Sequence, residues 1–328
     1  MGGDKLSRRS LGRLAGTLLA ASIMGRTGIA KAAAPKGALP ATRAALVPFA
    51  TAPFPYHGIV PEDGSDFFDV QHGDRLGHTA PRGGVYFEDQ TYSDNRVLIA
   101  LPQGFDLRKK AVIVVFFHGN GATLERDVID RQRVLDQVSQ SGLNAVLVAP
   151  QFAVDALDSS AGRFWQPGAF AQFIDEADTN MAALWGSRNA RSAFAAMPII
   201  IVAYSGGYDP AAYALTVGGE NRRIHGVALF DALYDDEDKF TAWIEKYWRS
   251  AFFFSAYTGT SAAGNAVAER AVGSRGIPFQ TGAPEQLLAG GVTFLGVSSA
   301  ADHGDFMTDA WVGMPLRWLL ARVPGYPR

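Results

Sequence analysis

The stretch MPIIIVAYSGGYDPAAY, residues 197–213, constrains the fold of this chain more strongly than any other. Its run from Ile199 to Val202 is apolar and β-branched, which predicts a buried strand. The run leads through Ser205 and two glycines into an alanine-containing segment with the character of a helix. A serine between a buried strand and a helix, flanked by small residues, is typical of a nucleophile elbow. Because an ordinary Ser-Gly-Gly turn has the same local pattern, the rest of the chain must decide between the two.

The composition excludes several classes of protein. The chain has 328 residues and a formal net charge of −2, which gives no electrostatic reason to expect nucleic acid as a partner. It contains no cysteine, so disulfides, zinc–thiolate sites, iron–sulfur clusters and cysteine nucleophiles are excluded. Its hydrophobic content of 48% is that of a globular protein able to bury a sizeable core.

Residues 1–34 have the pattern of an export signal. A basic segment with the pair Arg8 and Arg9 precedes a short apolar stretch and a small-residue cleavage site around Ala32. This pattern resembles a twin-arginine signal, which implies recognition by the twin-arginine export machinery and delivery to the bacterial periplasm or beyond. The apolar stretch is shorter than the roughly 20 residues that a membrane-spanning helix needs. A stably anchored N-terminal helix is therefore the less favoured alternative.

The remainder of the chain predicts one α/β domain. Residues 35–60 are rich in alanine and proline and are interpreted as an extended arm before it. Over residues 61–328, apolar segments alternate with helical patterns, which predicts a mostly parallel sheet with helices on both faces. Eight segments are interpreted as strands: 85–87, 96–102, 111–117, 144–149, 199–202, 224–230, 251–257 and 291–298.

Polar residues that follow the predicted strands form a candidate catalytic triad. Ligands bind outside the carboxyl ends of the strands of an open α/β sheet, and Ser205 needs a base there to take its proton. Of the six histidines, only His303 lies on a loop after a late strand. The base in turn needs a carboxylate. Asp231, at the end of the sixth strand, is favoured over Asp235, one turn further on.

The turn HGNG, residues 118–121, follows the third predicted strand and suggests part of an oxyanion hole. Glycine lets the backbone approach a neighbouring group closely. Two N–H donors are needed for the charge that develops on an acyl oxygen. We assign one donor to the N–H of Gly206 and the other to that of Asn120 or Gly119.

The sequence is less specific about a substrate pocket or a metal. Aromatic residues near the carboxyl ends of strands are candidates to line a pocket. A metal site from His72, Asp74 and His78 is conceivable but not favoured, because polar loop residues are far commoner than metal ligands. The pocket candidates are Trp165, Tyr204 and Tyr208, with Phe152 and Phe170 beside them.

Together, the HGNG turn, the AYSGG elbow, a following acid and a late histidine resemble the α/β-hydrolase family over about residues 85–328. The resemblance implies an eight-stranded α/β-hydrolase fold with a triad in the order Ser205, Asp231, His303. Two features depart from the family pattern. Ala203 stands where glycine is usual, and no acid follows the seventh strand, where the family's acid most often lies. The acid is therefore expected on the sixth strand, as in a minority of the family.

These features predict an exported serine hydrolase, with a carboxylic-ester hydrolase favoured over other reactions. The expected substrate is a small-molecule or polymer-derived acyl compound. No metal or organic cofactor is expected, because the triad itself supplies the nucleophile and the base. A serine peptidase or amidase on the same fold is the alternative reaction, and a non-catalytic exported binding protein is the alternative class.

Overall fold

The computed structural model describes residues 34–298 and 300–328. The predicted signal over residues 1–34 lies outside this range, apart from its last residue. The strands are β1 (Arg43–Pro48), β2 (Val70–His72), β3 (Arg75–Thr79), β4 (Val85–Phe87), β5 (Arg96–Leu101), β6 (Val112–Phe117), β7 (Ala145–Pro150), β8 (Ile199–Tyr204), β9 (Ile224–Phe230), β10 (Phe252–Tyr257) and β11 (Val292–Gly296). The α-helices are α1 (Glu88–Thr91), α2 (Val134–Gln140), α3 (Ala169–Trp185), α4 (Arg191–Ala195), α5 (Tyr208–Thr216), α6 (Glu237–Tyr247), α7 (Ala262–Ser274) and α8 (Pro315–Leu320).

Eight strands form one sheet in the order β1-β5-β7-β6-β8-β9-β10-β11. The strand β5 runs antiparallel to β1 and β7, and all other neighbours in the sheet are parallel. Numbered within the sheet, the order is 1-2-4-3-5-6-7-8 with an antiparallel second strand, which is the order of the α/β-hydrolase fold. The predicted fold class is therefore confirmed.

A core lies on each face of this sheet, because successive side chains of a strand point to opposite faces. In β6, Ile113 and Val115 join the core that α3, α5 and α6 cover. Val114 and Phe116 of the same strand join the opposite core, against α2 and α8. Burial on both faces explains why the strand is an unbroken apolar run. Each such buried side chain stabilises the fold by about 1.5–3 kcal/mol, and together they hold the strand ends in register.

The first strand of the sheet comes from the segment that the sequence predicts as an arm. β1 pairs with β5 from Arg43 to Pro48, and Phe49 and Phe54 are buried in the core. Residues 35–60 are therefore part of the domain, and the predicted boundary at residue 61 is wrong. Of the prolines that suggest an arm, Pro48 lies in β1, at its last position, and an edge strand tolerates proline because part of its backbone is unpaired.

Residues 85–87 form a strand, but not in the main sheet. β4 pairs with β3, and β3 with β2, in a separate three-stranded antiparallel sheet. The main sheet has the predicted number of eight strands, but its first strand is β1 and not the predicted strand over residues 85–87. The side-chain pattern of a three-residue strand carries no information about which sheet it joins.

Two helical segments are irregular or shorter than the sequence pattern predicts. The segment after β6 is a π-helix, Leu124–Arg131, followed by α2, and the left-handed Arg133 (φ 51°) lies between them. The sequence pattern over residues 311–323 predicts a closing helix, but the structure has only the shorter α8, which begins at Pro315. Within the described part of the chain, no helix has both the length and the apolar character to span a bilayer.

Candidate active site

Ser205 lies in the sharp turn between β8 and α5. The turn is a short 3₁₀ segment, Ser205–Gly207, and Ser205 has a left-handed backbone with a φ of 53°. A residue with a Cβ pays on the order of 1–3 kcal/mol for such a conformation. Its side chain stands at the carboxyl end of the strand, and 8% of the residue remains exposed. This is the backbone geometry of a nucleophile elbow.

His303 connects Ser205 to Asp231 through both ring nitrogens. Its Nε2 lies 2.7 Å from Ser205 Oγ, and its Nδ1 lies 2.6 Å from Asp231 Oδ2. With the carboxylate accepting from Nδ1–H, Nε2 is left as the acceptor for the serine hydroxyl. A capping box between Asp302 and Asp305 fixes the turn that carries the histidine.

The aromatic ring of Tyr204 supports the imidazole from behind. It stacks on the His303 ring with a centroid distance of 5.1 Å and an interplanar angle of 17°. Its hydroxyl donates to the carbonyl of His303 at 3.2 Å. Because Tyr204 also joins the core on the α2 and α8 face, the histidine is held by packed structure rather than by its own loop alone.

Asp231 is fully buried at the end of β9 and accepts several hydrogen bonds. Burial alone would raise the pKa of its carboxyl, but the hydrogen bonds outweigh burial and lower the pKa to about 2. Asp231 is therefore a carboxylate at neutral pH. Its donors, besides His303, are the backbone N–H of Thr258 and the hydroxyls of Tyr234, Thr260 and Ser261.

Asp235, the alternative acid, does not reach the histidine. It is exposed, and its carboxylate accepts the N–H of the adjacent Asp236 at 2.9 Å. The structure thus brings Asp231, and not Asp235, into contact with His303.

The HGNG turn packs directly against the elbow. A Cβ on Gly119 would lie 2.7 Å from Ser205 Cβ, and a Cβ on Gly206 would lie 1.8 Å from Asn120 Oδ1. No side chain fits at either glycine without displacing its neighbour. The absence of these side chains brings the backbone of both turns beside the serine, where oxyanion donors are needed.

His118 fixes the orientation of the peptide between Gly119 and Asn120. Its Nδ1–H donates to the Gly119 carbonyl at 2.8 Å, and its Nε2 accepts the N–H of Phe152 at 2.9 Å. Burial lowers the pKa of His118 to about 4, so the ring is neutral and suited to one donor and one acceptor role. C=O and N–H point in opposite directions across a trans peptide. Because the Gly119 carbonyl points toward the His118 ring, the N–H of Asn120 points away from it. It has no acceptor among residues 34–298 and 300–328.

The loop between β7 and α3, residues 151–168, covers these turns. Its aromatic residues suggest a pocket rim in the sequence. Ser159 donates to Asn120 Oδ1 at 3.1 Å, and Ala156 accepts the N–H of Gly121 at 2.7 Å. On the other side, the N–H of Ala161 donates to Asp209 of α5 at 2.9 Å. The loop therefore joins the HGNG turn to the helix that follows the serine. These contacts join segments distant in sequence, so no local signal points to them.

The predicted pocket residues are mostly buried elsewhere. Trp165 is 8% exposed and donates to Asp209 inside an aromatic cluster with Tyr56 and Tyr213, and Tyr204 lies behind the histidine. Of the three residues predicted to line the pocket, only Tyr208 is partly exposed beside the site, with its ring 6.2 Å from that of Tyr234. Phe152 and Phe170 are core residues that both pack on Phe117.

The residues considered for a metal site do not gather. His78 is buried, stacks on Phe67 and bonds the Phe67 carbonyl through Nδ1 at 2.6 Å. Within residues 34–298 and 300–328, no group of three or more His, Asp or Glu side chains is placed to hold a metal ion.

The site holds a hydroxyl, an imidazole and a carboxylate in one hydrogen-bonded line. Such a line can move the proton of Ser205 Oγ to His303 Nε2 while the oxygen forms a new bond. The backbone N–H groups of Gly206 and Asn120 lie just after the carboxyl ends of β8 and β6. They can stabilise negative charge on an acyl oxygen. The chemistry that this arrangement supports is acyl transfer to water.

Comparison with known proteins gives matches among solved structures only. No family model and no curated protein matches the chain. A mutant feruloyl esterase module from Clostridium thermocellum, complexed with sinapinate, is 15% identical with a TM-score of 0.45, over 82% of this chain and 97% of that one. An S-formylglutathione hydrolase from Agrobacterium tumefaciens is 11% identical with a TM-score of 0.42, over 77% and 97%. Thermogutta terrifontis esterase 2, phosphonylated by sarin, is 13% identical with a TM-score of 0.38, over 68% and 84%.

Proposed function

We propose that this protein is a serine hydrolase that cleaves carboxylic esters through an acyl-enzyme on Ser205. The observation that carries the proposal is the line of short contacts from Ser205 Oγ to His303 Nε2, at 2.7 Å, and from His303 Nδ1 to Asp231 Oδ2, at 2.6 Å. The line ends on a fully buried carboxylate, which favours the imidazolium that forms when the histidine takes a proton.

In the first half of the reaction, Ser205 Oγ attacks the ester carbonyl carbon and its proton passes to His303 Nε2. The carbonyl oxygen becomes an oxyanion beside the N–H groups of Gly206 and Asn120. When the tetrahedral intermediate collapses, the bond to the alcohol breaks and His303 returns the proton to the leaving oxygen. Asp231 keeps its charge and holds the ring throughout.

In the second half, water takes the place of the alcohol. His303 removes a proton from the water as it attacks the acyl carbon, and then protonates Ser205 Oγ as the acid leaves. Neither half requires a metal or an organic cofactor, because the three side chains supply nucleophile, base and acid. The substrate in this proposal is an acyl ester, either a small molecule or a fragment of a polymer.

The strained serine of the elbow and the buried charge of Asp231 both support an enzyme over a binding protein. A left-handed serine costs folding free energy, and a buried charge is costly unless it is hydrogen-bonded. A binding protein gains nothing from either feature. A peptidase or amidase would use the same line of side chains, so only a test of substrates separates it from an esterase.

The proposal includes export. On the resemblance of residues 1–34 to a twin-arginine signal, we propose that the precursor uses the twin-arginine machinery and that the mature protein acts in the periplasm or outside the cell.

A fluorophosphonate probe tests the nucleophile. We expect the folded protein to be labelled on Ser205, and the Ser205→Ala variant to remain unlabelled. Turnover of p-nitrophenyl esters of short and long acids, compared with the matching p-nitroanilides, then separates esterase from amidase. Preferential hydrolysis of the anilides would assign the site to amide bonds.

The absence of labelling on folded protein would overturn the hydrolase proposal. Equal labelling of the parent and of Ser205→Ala would do the same, because it would place the reactive group elsewhere.

A further inference from the structure

The carboxylate of Asp231 is surrounded by hydroxyl groups that the reaction described above does not use. Tyr234 OH lies 3.2 Å from Asp231 Oδ2, and the hydroxyl of Thr260 donates to the same oxygen. The hydroxyl of Ser261 and the N–H of Thr258 donate to the other oxygen, Oδ1. We call Tyr234, Thr258, Thr260 and Ser261 the carboxylate cradle.

Tyr234 differs from the rest of the cradle because it also contacts the histidine. Its hydroxyl lies 3.2 Å from His303 Nδ1, so it meets both partners of the bond between His303 and Asp231. Its ring stands edge-on to the imidazole, with centroids 6.1 Å apart at 73°. The Tyr234 hydroxyl, which also lies 3.3 Å from Thr260 Oγ1, and His303 Nδ1–H therefore meet at one carboxylate oxygen, Asp231 Oδ2.

We propose that Tyr234 is a positioning residue that sets how strongly Asp231 stabilises the protonated form of His303, and hence the pH above which the site is active. This inference rests on the proposed function. A hydrogen bond to a carboxylate disperses its negative charge. With less charge on the shared oxygen, the imidazolium is held less tightly, and His303 regains its role as a base at a lower pH.

The phenol can act as a donor at all relevant pH values. Burial raises the pKa of Tyr234, which keeps the hydroxyl protonated. The cradle residues from the loop after β10 carry no charge of their own, so they act on Asp231 as dipoles only.

Several other ionisable groups surround the site, and the variants tested below leave all of them unchanged. Tyr204 from β8 stacks on His303, and Tyr208 from α5 lies beside Tyr234. Arg82, from the turn between β3 and β4, stands 5.6 Å over the Tyr234 ring. Further charges that act on the stacked Tyr204 ring are those of Arg131, Asp127 and Asp305.

The test is the pH dependence of kcat/KM for a p-nitrophenyl ester in Tyr234→Phe. Loss of the donor should move the acidic limb to higher pH by about 0.5–1 unit, with KM little changed. Replacing Tyr234 by 3-fluorotyrosine, whose phenol is a stronger donor, should move the limb to lower pH while keeping the side chain in place. Tyr257→Phe, which removes a hydroxyl bonded to Glu269 at 3.0 Å, is the matched control and should leave the limb unmoved.

A second measurement does not depend on turnover. In the protonated state, the proton between His303 Nδ1 and Asp231 should give a low-field resonance in the NMR spectrum. We expect this resonance to move further downfield in Tyr234→Phe and to stay in place in Tyr257→Phe.

The outcomes separate this inference from the proposed function. If kcat falls in Tyr234→Phe but neither the pH limb nor the resonance moves, Tyr234 serves structure only and the inference is overturned. A limb that shifts in the same direction for the phenylalanine and the fluorotyrosine variants overturns it as well. If Ser205 cannot be labelled and no ester is hydrolysed, the proposed function fails, while the resonance still tests the role of Tyr234.

Discussion

Ser205 and Asp231, two of the three residues in the hydrogen-bonded line, have left-handed backbones, with φ values of 53° and 43°. Neither is a glycine, so each conformation is unfavourable for its residue. Both stand at the point where a buried strand ends, and the packed sheet behind them holds the strain. The two strained residues thus reduce the stability of the fold at the place where their side chains must point into the site.

Replacing Ser205 in two ways measures this strain. Ser205→Gly and Ser205→Ala both remove the hydroxyl and should both abolish labelling and turnover. Only glycine removes the Cβ that the left-handed backbone disfavours. We expect Ser205→Gly to be more stable than Ser205→Ala by about 1 kcal/mol, measured by urea denaturation. Equal stability of the two variants would show that the turn holds no strain at this residue.

Asp209, in the first turn of α5, makes stability depend on pH. It is buried and accepts the N–H of Ala161 at 2.9 Å and Nε1–H of Trp165 at 3.2 Å. Burial, with Asp236 and Glu62 nearby, raises its pKa well above the ordinary value. The folded protein therefore holds a proton that the unfolded chain releases above about pH 4. Stability falls as pH rises from there toward the folded pKa.

Asp209→Asn should remove this dependence, because the amide oxygen still accepts both hydrogen bonds and no charge forms. We expect the variant to be more stable than the parent at pH 8 by about 1 kcal/mol, and the difference to vanish near pH 4. Denaturant titrations at the two pH values measure it, with the exposed Asp74→Asn as control. If Asp209→Asn were less stable than the parent by the same amount at pH 8 and at pH 4, the assignment would be contradicted.

At this scale, the sequence identifies reactive residues better than the residues that support them. Ser205 and His303 are placed by strand ends that can be read from apolar runs. Thr260 meets Asp231 only through the fold, since it comes from the loop after the neighbouring strand. Tyr234 lies only three residues along the chain from Asp231, but nothing in the local sequence shows that its hydroxyl also reaches His303. Trp165 and Tyr204 look like pocket residues because they are aromatic and near strand ends. Burial decides otherwise, and burial of a loop residue has no local sequence pattern.

Among the elements, the loop after β10 shows how the acid on β9 is accommodated. The sequence has no acid between Ser255 and Ala268, which leaves the end of the seventh strand of the sheet without a carboxylate. That end carries Thr258, Thr260 and Ser261, all of which donate to Asp231. The two neighbouring strand ends therefore have complementary roles, one supplying the charge and the other the donors that stabilise it.

The edge strand β1 was the element least visible in the sequence. Its residues RAALVP are half-buried or exposed, so they form neither a continuous apolar run nor a clean alternation. The central strands, buried on both faces, form unbroken apolar runs, and the sequence therefore predicts them correctly. The order of the strands and the choice between β1 and β4 depend on pairing between distant segments, which a single sequence does not encode locally.

Removing this segment tests its contribution. A chain that begins at residue 61 lacks β1 and loses Phe49, which packs on Phe173 at 5.4 Å, and Phe54, which packs on Phe67 at 5.7 Å. Burial of each phenylalanine is worth about 1.5–3 kcal/mol, a large part of a typical stability of about 5–15 kcal/mol.

We expect the chain from residue 61 to be unfolded or insoluble, and a chain from residue 34 to keep a cooperative thermal transition by circular dichroism. The point variant Phe49→Ala, in the longer chain, should lose about 3–5 kcal/mol. An equally cooperative transition at the same temperature in both truncated chains would show that residues 34–60 are dispensable.

At the scale of the whole molecule, the described domain is held together by non-covalent interactions alone. Its two cores cover both faces of one sheet, and the chain has no cysteine that could cross-link it. Such a fold needs no oxidising compartment to form. Folding can therefore be complete before export, which is the order of events that a twin-arginine signal implies.

The paired arginines provide the test of that proposal, although they lie outside the described residues. Replacing Arg8 and Arg9 together by lysine keeps the charge but removes the planar guanidinium groups, whose fixed donors lysine cannot reproduce. In a bacterial host with the export machinery, we expect the parent at mature length in the periplasmic fraction. The double variant should remain in the cytoplasm at precursor length, folded and still labelled by the fluorophosphonate probe. Arg13→Lys, outside the pair, should be exported like the parent. If the double variant is exported as well as the parent, the segment is not a twin-arginine signal, and retained but unlabelled protein would instead show that folding depends on export.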